Sequence, residues 1–433
     1  MREDKKILGM SWPLVFVIMA IIILAIYMEV LPLGLIGAFL FLLVFGELLN
    51  FIGNNLPIVN TYLGGGAIVT IFGGATLVHF GILNETMVNL SDAFMKSGEG
   101  RMGFLDFYIA ALITGSILGM NRKLLIKAAV RYLPAILGGV IVALGLVSLI
   151  APVFGFTPGE AMSYIGIPIM GGGMGAGAVP ISEVFSKALG IPAEQILGRL
   201  VPAVALGNAM AIVAGGLLNR LGKVRPELTG NGQLMMSDDA EMKAEEKVLN
   251  LDVKDYATGI TIATAFFTIG AIIAKLIASL GLDLHLYAWM IISVSLVKAL
   301  DILPEKYTDA CAGWYNFVAK NFTSLLLLGI GISYTSLADI IDSFSIQYVV
   351  LVAVVIFGAV LGSGFVGKLV GFYPIEAAIT AGLCMANMGG TGDVAVLNAA
   401  DRMVLMPFAQ ISSRLGGAFI ILLASIIVPI FFG

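Results

Sequence analysis

The chain has 433 residues, 59% of them hydrophobic and only 12% charged, with mean hydropathy +1.01 and net charge -4. A soluble domain carries about 25% charged residues, so the composition excludes a water-soluble globular protein and predicts many membrane spans. Two cysteines, Cys311 and Cys384, exclude a disulfide framework. With no basic patch interleaved with aromatics, nucleic acid is excluded as a partner.

In chain order, the short basic run Arg2 to Lys6 precedes span one at about 11–31, which is read as a retained additional helix within an N-terminal segment 1–32. Spans two and three fall near 33–53 and 62–82, the latter opening on Gly64, Gly65 and Gly66. Spans four and five fall near 104–120 and 132–154. Residues 158–189 read as a re-entrant hairpin with its tip at Gly171 to Gly177, and span six follows near 193–221. Residues 222–254 form the one long polar linker, with helix expected from Asp238 to Lys247. Spans seven to ten fall near 256–281, 284–302, 312–336 and 346–371, a second hairpin at 374–403, and span eleven near 405–431. The fold class is therefore all-α and polytopic: about eleven transmembrane helices plus two re-entrant hairpins.

The hairpins are copies. Gly175, Gly177, Val179, Pro192, Gln195, Ile196, Arg199 and Leu200 align without a gap on Gly390, Gly392, Val394, Pro407, Gln410, Ile411, Arg414 and Leu415. Lys and Arg cluster in loops that lie inside if the N-terminus is cytoplasmic: Arg122, Lys123, Lys127, Arg131, Lys223, Arg225, Lys243, Lys247 and Lys306. Outer loops hold only Lys96 and Arg101, and the loop around Asp339 and Asp342 has neither type. The C-terminus then lies outside, and 33–221 and 255–433 become two inverted five-helix repeats, a secondary-transporter plan.

The second copy, from Cys384 to Arg414, carries the chemistry. Gly389, Gly390, Thr391 and Gly392 are read as a break in helix, because Gly costs ~1 kcal/mol per residue in a helix interior. Broken backbone survives at membrane depth only inside protein or beside a wet cavity. Arg414, about nine residues into span eleven, is either a snorkelling side chain or a guanidinium for a carboxylate, since a buried charge costs at least ~2.5 kcal/mol. Arg199, nearer the start of its span, is equally a structural ion pair or snorkelling side chain or a functional charge. The Gly-rich tips are either tight packing faces or exposed N–H groups and carbonyls for an anion and a cation. Asp393 is a hairpin cap or a cation or proton site. Asn387, Thr391, Ser412 and Ser413 offer neutral oxygens to a hard cation. Glu29, Glu47, His79 and His285 read as packing or interface residues, and Trp12, Trp289 and Trp314 as interface anchors. No HExxH motif, Cys/His cluster or carboxylate pair supports catalysis.

The segments NMGGTGDVAVL, AQISSRLGG and GGGMGAGAVPISE closely resemble the 2-hydroxycarboxylate transporter family, sodium–citrate and malate symporters among them, over nearly the whole chain. The resemblance implies a bacterial inner-membrane homodimer whose mobile transport domain carries both hairpins and moves a small organic acid with Na⁺ by alternating access. It places substrate contacts at Arg414, Thr391, Gly175, Met174 and Gly390. It places sodium ligands at Ile169, Gly172, Cys384, Met385, Asn387 and Ser413, several through carbonyls. Citrate-type members have Asn at the position of Met174 and a second Arg at that of Met388, so malate is expected over citrate. Proton coupling, exchange transport, the membrane subunit of a sodium-pumping decarboxylase and, more remotely, a channel are the rival expectations.

Overall fold

A computed structural model of the chain describes residues 7–57, 59, 65–96, 102–120, 122–236, 249–278, 285–335, 337, 338, 341 and 345–432. The side chains of residues 122–130, Ala176, Thr391 and Pro407 lie outside the described set, as do Gly64 and the helix expected from Asp238 to Lys247. Among the described residues the fold is all helical, with two isolated β-bridges, Ile7 to Met10 and Met235 to Phe372. In lipid a helix satisfies its own backbone, which is why long Leu/Ile/Val/Ala runs adopt it.

The main helices are α1 (Trp12–Tyr27), α2 (Leu35–Asn55), α3 (Gly66–His79), α4 (Glu85–Met95), α5 (Phe104–Leu118) and α6 (Arg122–Ile150). Then come α7 (Val179–Leu189), α8 (Ala193–Val224), α9 (Val253–Ala278), α10 (Leu286–Ala299), α11 (Glu305–Asn321) and α12 (Thr323–Ser333). The chain closes with α13 (Ile346–Leu369), α14 (Gly390–Ala399) and α15 (Gly417–Phe432).

Six described helices are long and apolar enough to cross a membrane, or seven if α11 and α12 count as one broken span. That pair corrects the expected single span at 312–336: it bends by 56° at Phe322. Helices α3 and α10 have only 14 residues each. Fourteen residues reach about 21 Å, short of a hydrocarbon core of about 30 Å.

Packing falls into two groups. In one, α12 packs on α2 and α3, while α5 packs on α9, α10 and α11. In the other, α6 packs on α13, α8 on α7 and α14, and α15 on α7. The α6–α13 pair is antiparallel, since Gly138 meets Gly362 while Ala143, further along α6, meets Gly358, further back along α13. A Cβ on Gly358 would lie 2.6 Å from the Ala143 Cα. Small residues allow this approach, and apolar contact plus close backbone packing holds helices together in lipid.

Two helical hairpins sit in the second group. The first runs from Pro158–Ala161 through a π-helical turn, Met162–Gly166, to Ile167–Ile169, then turns back into α7, with Tyr164 and Phe185 meeting edge-to-face at 5.9 Å. The second runs from Pro374–Ala377 through another π-helical turn, Ala378–Leu383, and returns as α14. The start of the polar linker docks on the base of this hairpin. Met236 N–H donates to the Gly371 carbonyl at 2.9 Å, and Tyr373 N–H to the Leu234 carbonyl at 2.9 Å. Trp314 is buried, 7% exposed, against Phe107 and Phe317, which corrects its reading as an interface anchor.

Candidate functional site

The hairpin tips meet. Gly172 and Gly173 have φ of 75° and 128°, and Gly389 has φ of 84°, conformations that side chains strain to adopt. Gly172 N–H donates to the Met385 carbonyl at 3.2 Å, and a Cβ on Gly173 would lie 2.9 Å from the Gly389 nitrogen. Glycine is thus required here both for φ and for the close approach of one tip to the other. The break in the second tip is Cys384 to Gly389, whereas Gly390, Thr391 and Gly392 form the first turn of α14. This corrects the reading of Gly390 to Gly392 as non-helical: glycine is tolerated there because first-turn N–H groups have no helical partner to lose.

A cavity of about 410 Å³ opens beside the tips, a size suited to a small molecule. Gly172, Gly173, Met174, Gly175, Met388, Gly389, Gly390 and Asp393 line it from the hairpins, and Gln410, Ser413 and Arg414 from the segment that follows the second. From the other packing group come Glu47, Asn50, Asn54, Tyr108, Tyr315, Lys320, Thr323 and Ser324. Met174 and Met388, where the resemblance implies Asn and Arg in citrate-type members, are both on the cavity wall.

Arg414 lies in a π-helical turn, Ser412–Gly416, that interrupts the last long helix. Such turns re-aim side chains and concentrate at functional sites. Its Cζ stands 4.8 Å from the centre of the Tyr315 ring. Among the described residues the Arg414 side chain makes no hydrogen bond or ion pair. Its counterpart Arg199 lies in regular helix, is exposed, and sits 5.6 Å from the Tyr164 ring away from the cavity. Arg199 thus lies outside the cavity, whereas Arg414 lines it.

Behind the tips is an oxygen-rich cage. Ser413 Oγ lies 3.0 Å from the Cys384 carbonyl, 3.0 and 2.9 Å from the two Asp393 carboxylate oxygens, and 3.2 Å from the Ala409 carbonyl. One hydroxyl proton cannot serve four acceptors. Asn387 donates to Asp393 Oδ1 at 2.9 Å and accepts from Gly389 N–H at 2.8 Å. Asp393 is fully buried and turned toward Ser413 and Asn387. Surplus acceptors around a buried carboxylate suit a hard cation. Of the residues expected to hold one, Gly172, Cys384, Met385, Asn387 and Ser413 converge here, the carbonyl of Ser413 packing against Gly172. Ile169 is buried against Gly207 at the end of the first arm, and no described hydrogen bond joins it to the cage.

Sequence reasoning missed several site residues. Glu47, read as packing, faces the cavity and accepts from Ser324 Oγ at 2.7 Å and Asn50 Nδ2 at 3.4 Å. Asn208, fully buried, accepts from Met388 N–H at 3.1 Å and so braces the second tip. Its sequence signal was an Asn within an apolar helix. Tyr315 and Lys320 carried no local signal at all.

Beside the glycine tips the Arg414 guanidinium lines the cavity with no ion pair among the described residues, an arrangement chemically suited to a carboxylate. The 2-hydroxycarboxylate transporter family profile matches residues 7–426. The chain belongs to the 2-hydroxycarboxylate transporter family. It is 39% identical to the Na⁺-malate symporter of Bacillus subtilis over 423 residues, 97% of this chain and 92% of that one. It is 36% identical to the citrate/sodium symporter of Salmonella typhimurium over 425 residues, 98% of this chain and 94% of that one. It is 38% identical to the citrate transporter CitP of Leuconostoc mesenteroides over 408 residues, 94% and 90% of the two chains.

Proposed function

We propose that this member of the family is a sodium-coupled symporter of a 2-hydroxycarboxylate, working by alternating access. The observation that carries this is Arg414: a guanidinium with no ion pair among the described residues, lining a cavity, with an oxygen-rich cage one residue away at Ser413. Arg414 takes one carboxylate of the acid in a two-pronged contact, as Arg does better than Lys. The tip backbones at Gly175, Gly390 and Thr391 take the rest. Na⁺ is held by Asp393, Asn387, Ser413 and the carbonyls of Cys384 and Met385, with Ile169 and Gly172 completing the shell. Because the tips form both sites, sodium assembles the pocket that the acid enters, which makes loading of one depend on the other.

The second packing group, with both hairpins, is the moving body, and the first group is its scaffold. Residues 33–221 and 255–433 are inverted repeats, flanked by the extra helix in 1–32 and joined by the cytoplasmic linker 222–254, with the N-terminus inside and the C-terminus outside. Support comes from the antiparallel α6–α13 pair, the π-helical turn in the first arm of each hairpin, and the loop charges. Met174 and Met388 leave the cavity wall without a second hairpin cation, so the favoured acid is malate-sized.

Purified protein in liposomes tests this. A sodium gradient alone should drive malate uptake, with malate competing better than citrate, lactate or aspartate. No uptake without a soluble partner enzyme would instead favour the pump-subunit reading, and uptake indifferent to Na⁺ would overturn the coupling.

A further inference from the structure

The cavity has one contact that joins the two packing groups through its key charge. Arg414 belongs to the segment after the second hairpin, and Tyr315 to α11. We infer that Tyr315 is a positioning residue: its ring seats the Arg414 guanidinium over the cavity.

Three observations carry this. The 4.8 Å distance from Cζ to the ring centre is well inside the ~6 Å range of cation–π attraction. The Arg414 side chain makes no hydrogen bond or ion pair with a described residue; the ring is its direct contact, and the Asp393 carboxylate acts on it from further off. The base of the Tyr315 side chain is closely packed. Gly115 of α5 leaves room for the Tyr315 Cβ, and Tyr108 of the same helix bonds Thr323 Oγ1 at 2.7 Å just beyond α11.

The physical need is clear. A cation left in a low-dielectric cavity is costly, and an aromatic face offsets part of that cost without supplying a competing carboxylate. Asp393 and Glu47 also line the cavity, but Asp393 is committed to Ser413 and Asn387, and Glu47 to Ser324 and Asn50. Tyr315 thus holds the guanidinium ready without blocking its N–H edge with an anion.

A consequence rests on the transport reading. Tyr315 stays with the scaffold when the body moves, so the seat exists in one facing state only. It favours that state when empty, and acid affinity becomes unequal on the two sides of the membrane.

The test begins without transport. Purified wild-type, Tyr315→Phe and Tyr315→Leu proteins are treated with phenylglyoxal, an arginine reagent, in the absence of acid, and modification of Arg414 is followed by peptide mass spectrometry. Leu should speed modification roughly three- to tenfold, while Phe, which keeps the ring face, stays within about twofold of wild type. Equal rates in all three, or Phe behaving as Leu, overturns the seat. Malate KM is then measured from each side in oriented vesicles. Tyr315→Leu should raise it on one side only, and an equal rise on both sides overturns the one-state seat. Failure of wild-type uptake would count against the transport reading, while the labelling result still decides the seat.

Discussion

Tyr108 and Thr323 share a hydrogen bond of 2.7 Å across 215 residues of chain. That separation is the one that maps Gly175 onto Gly390 and Arg199 onto Arg414. On the two-repeat proposal they are one position in two copies, and equivalent positions touch only at the axis that relates the copies. Both residues line the cavity, so the axis passes beside the site. Arg414 departs from this symmetry: its copy Arg199 is exposed and remote.

Arg414→Ala should abolish acid binding, and Arg414→Lys should fail nearly as badly, because a point charge replaces a fork. Losing a charged partner costs about 2–5 kcal/mol, so acid affinity should fall ~30-fold or more. Calorimetric titration of malate into detergent-purified protein reads this, with size-exclusion profiles checking the fold. Wild-type affinity in the Ala variant would remove Arg414 from the site.

Met388→Arg should turn preference toward a tricarboxylate. A charge-assisted bond is worth about 1.5–3 kcal/mol, so the citrate-to-malate ratio of kcat/KM should rise ~10- to 100-fold. An unchanged ratio would show that this wall position does not select the acid.

Lys320 is the second cation lining the cavity, exposed at its edge on α11. Its charge should favour a dianion over a monoanion. Lys320→Gln should raise the KM for malate ~2- to 5-fold, the range of exposed ion pairs, while leaving that for lactate unchanged. High salt should shrink the difference.

Asp393→Asn removes the only charge in the oxygen cage while keeping its shape. Half-saturation by Na⁺ should rise ~10- to 100-fold, by analogy with lost support at other metal sites. A variant with unaltered sodium dependence would place the cation elsewhere.

Glu376 and Arg402 form a buried ion pair at 3.0 Å, with side chains 0% and 5% exposed. Thr229 Oγ1 and Gly230 N–H also donate to Glu376, at 2.7 and 2.9 Å, so the pair clamps the linker to the hairpin base. Either Glu376→Gln or Arg402→Met alone should destabilise by about 3–5 kcal/mol, because the remaining group stays buried without its partner. The double variant Glu376→Leu/Arg402→Met should recover much of the loss in a thermal-unfolding experiment in detergent. Additive losses would show that the linker bonds, rather than the pair, hold the base.

What the sequence determined by itself were features written locally. Low charge and long apolar runs require helices in lipid. Dense glycine within such runs marks a broken segment, and an Arg behind it marks a charge that needs a reason to be there. Those signals located both tips, Arg414, Asp393 and the oxygens of Asn387 and Ser413, and the motifs carrying them identified the family. Only the tertiary structure decided what faces them. Glu47, Tyr315 and Lys320 are ordinary residues on helices far away in sequence, and nothing in their neighbours shows which side meets the cavity. Arg402 drew no sequence reading because its partner Glu376 lies on the opposite arm of the hairpin. The bend between α11 and α12 falls at the polar step Lys320, Asn321, Thr323 and Ser324, which a single span at 312–336 runs straight through. A polar step can interrupt a span or pass within one, so only the packed helices show the 56° turn and the Tyr315 ring beside Arg414.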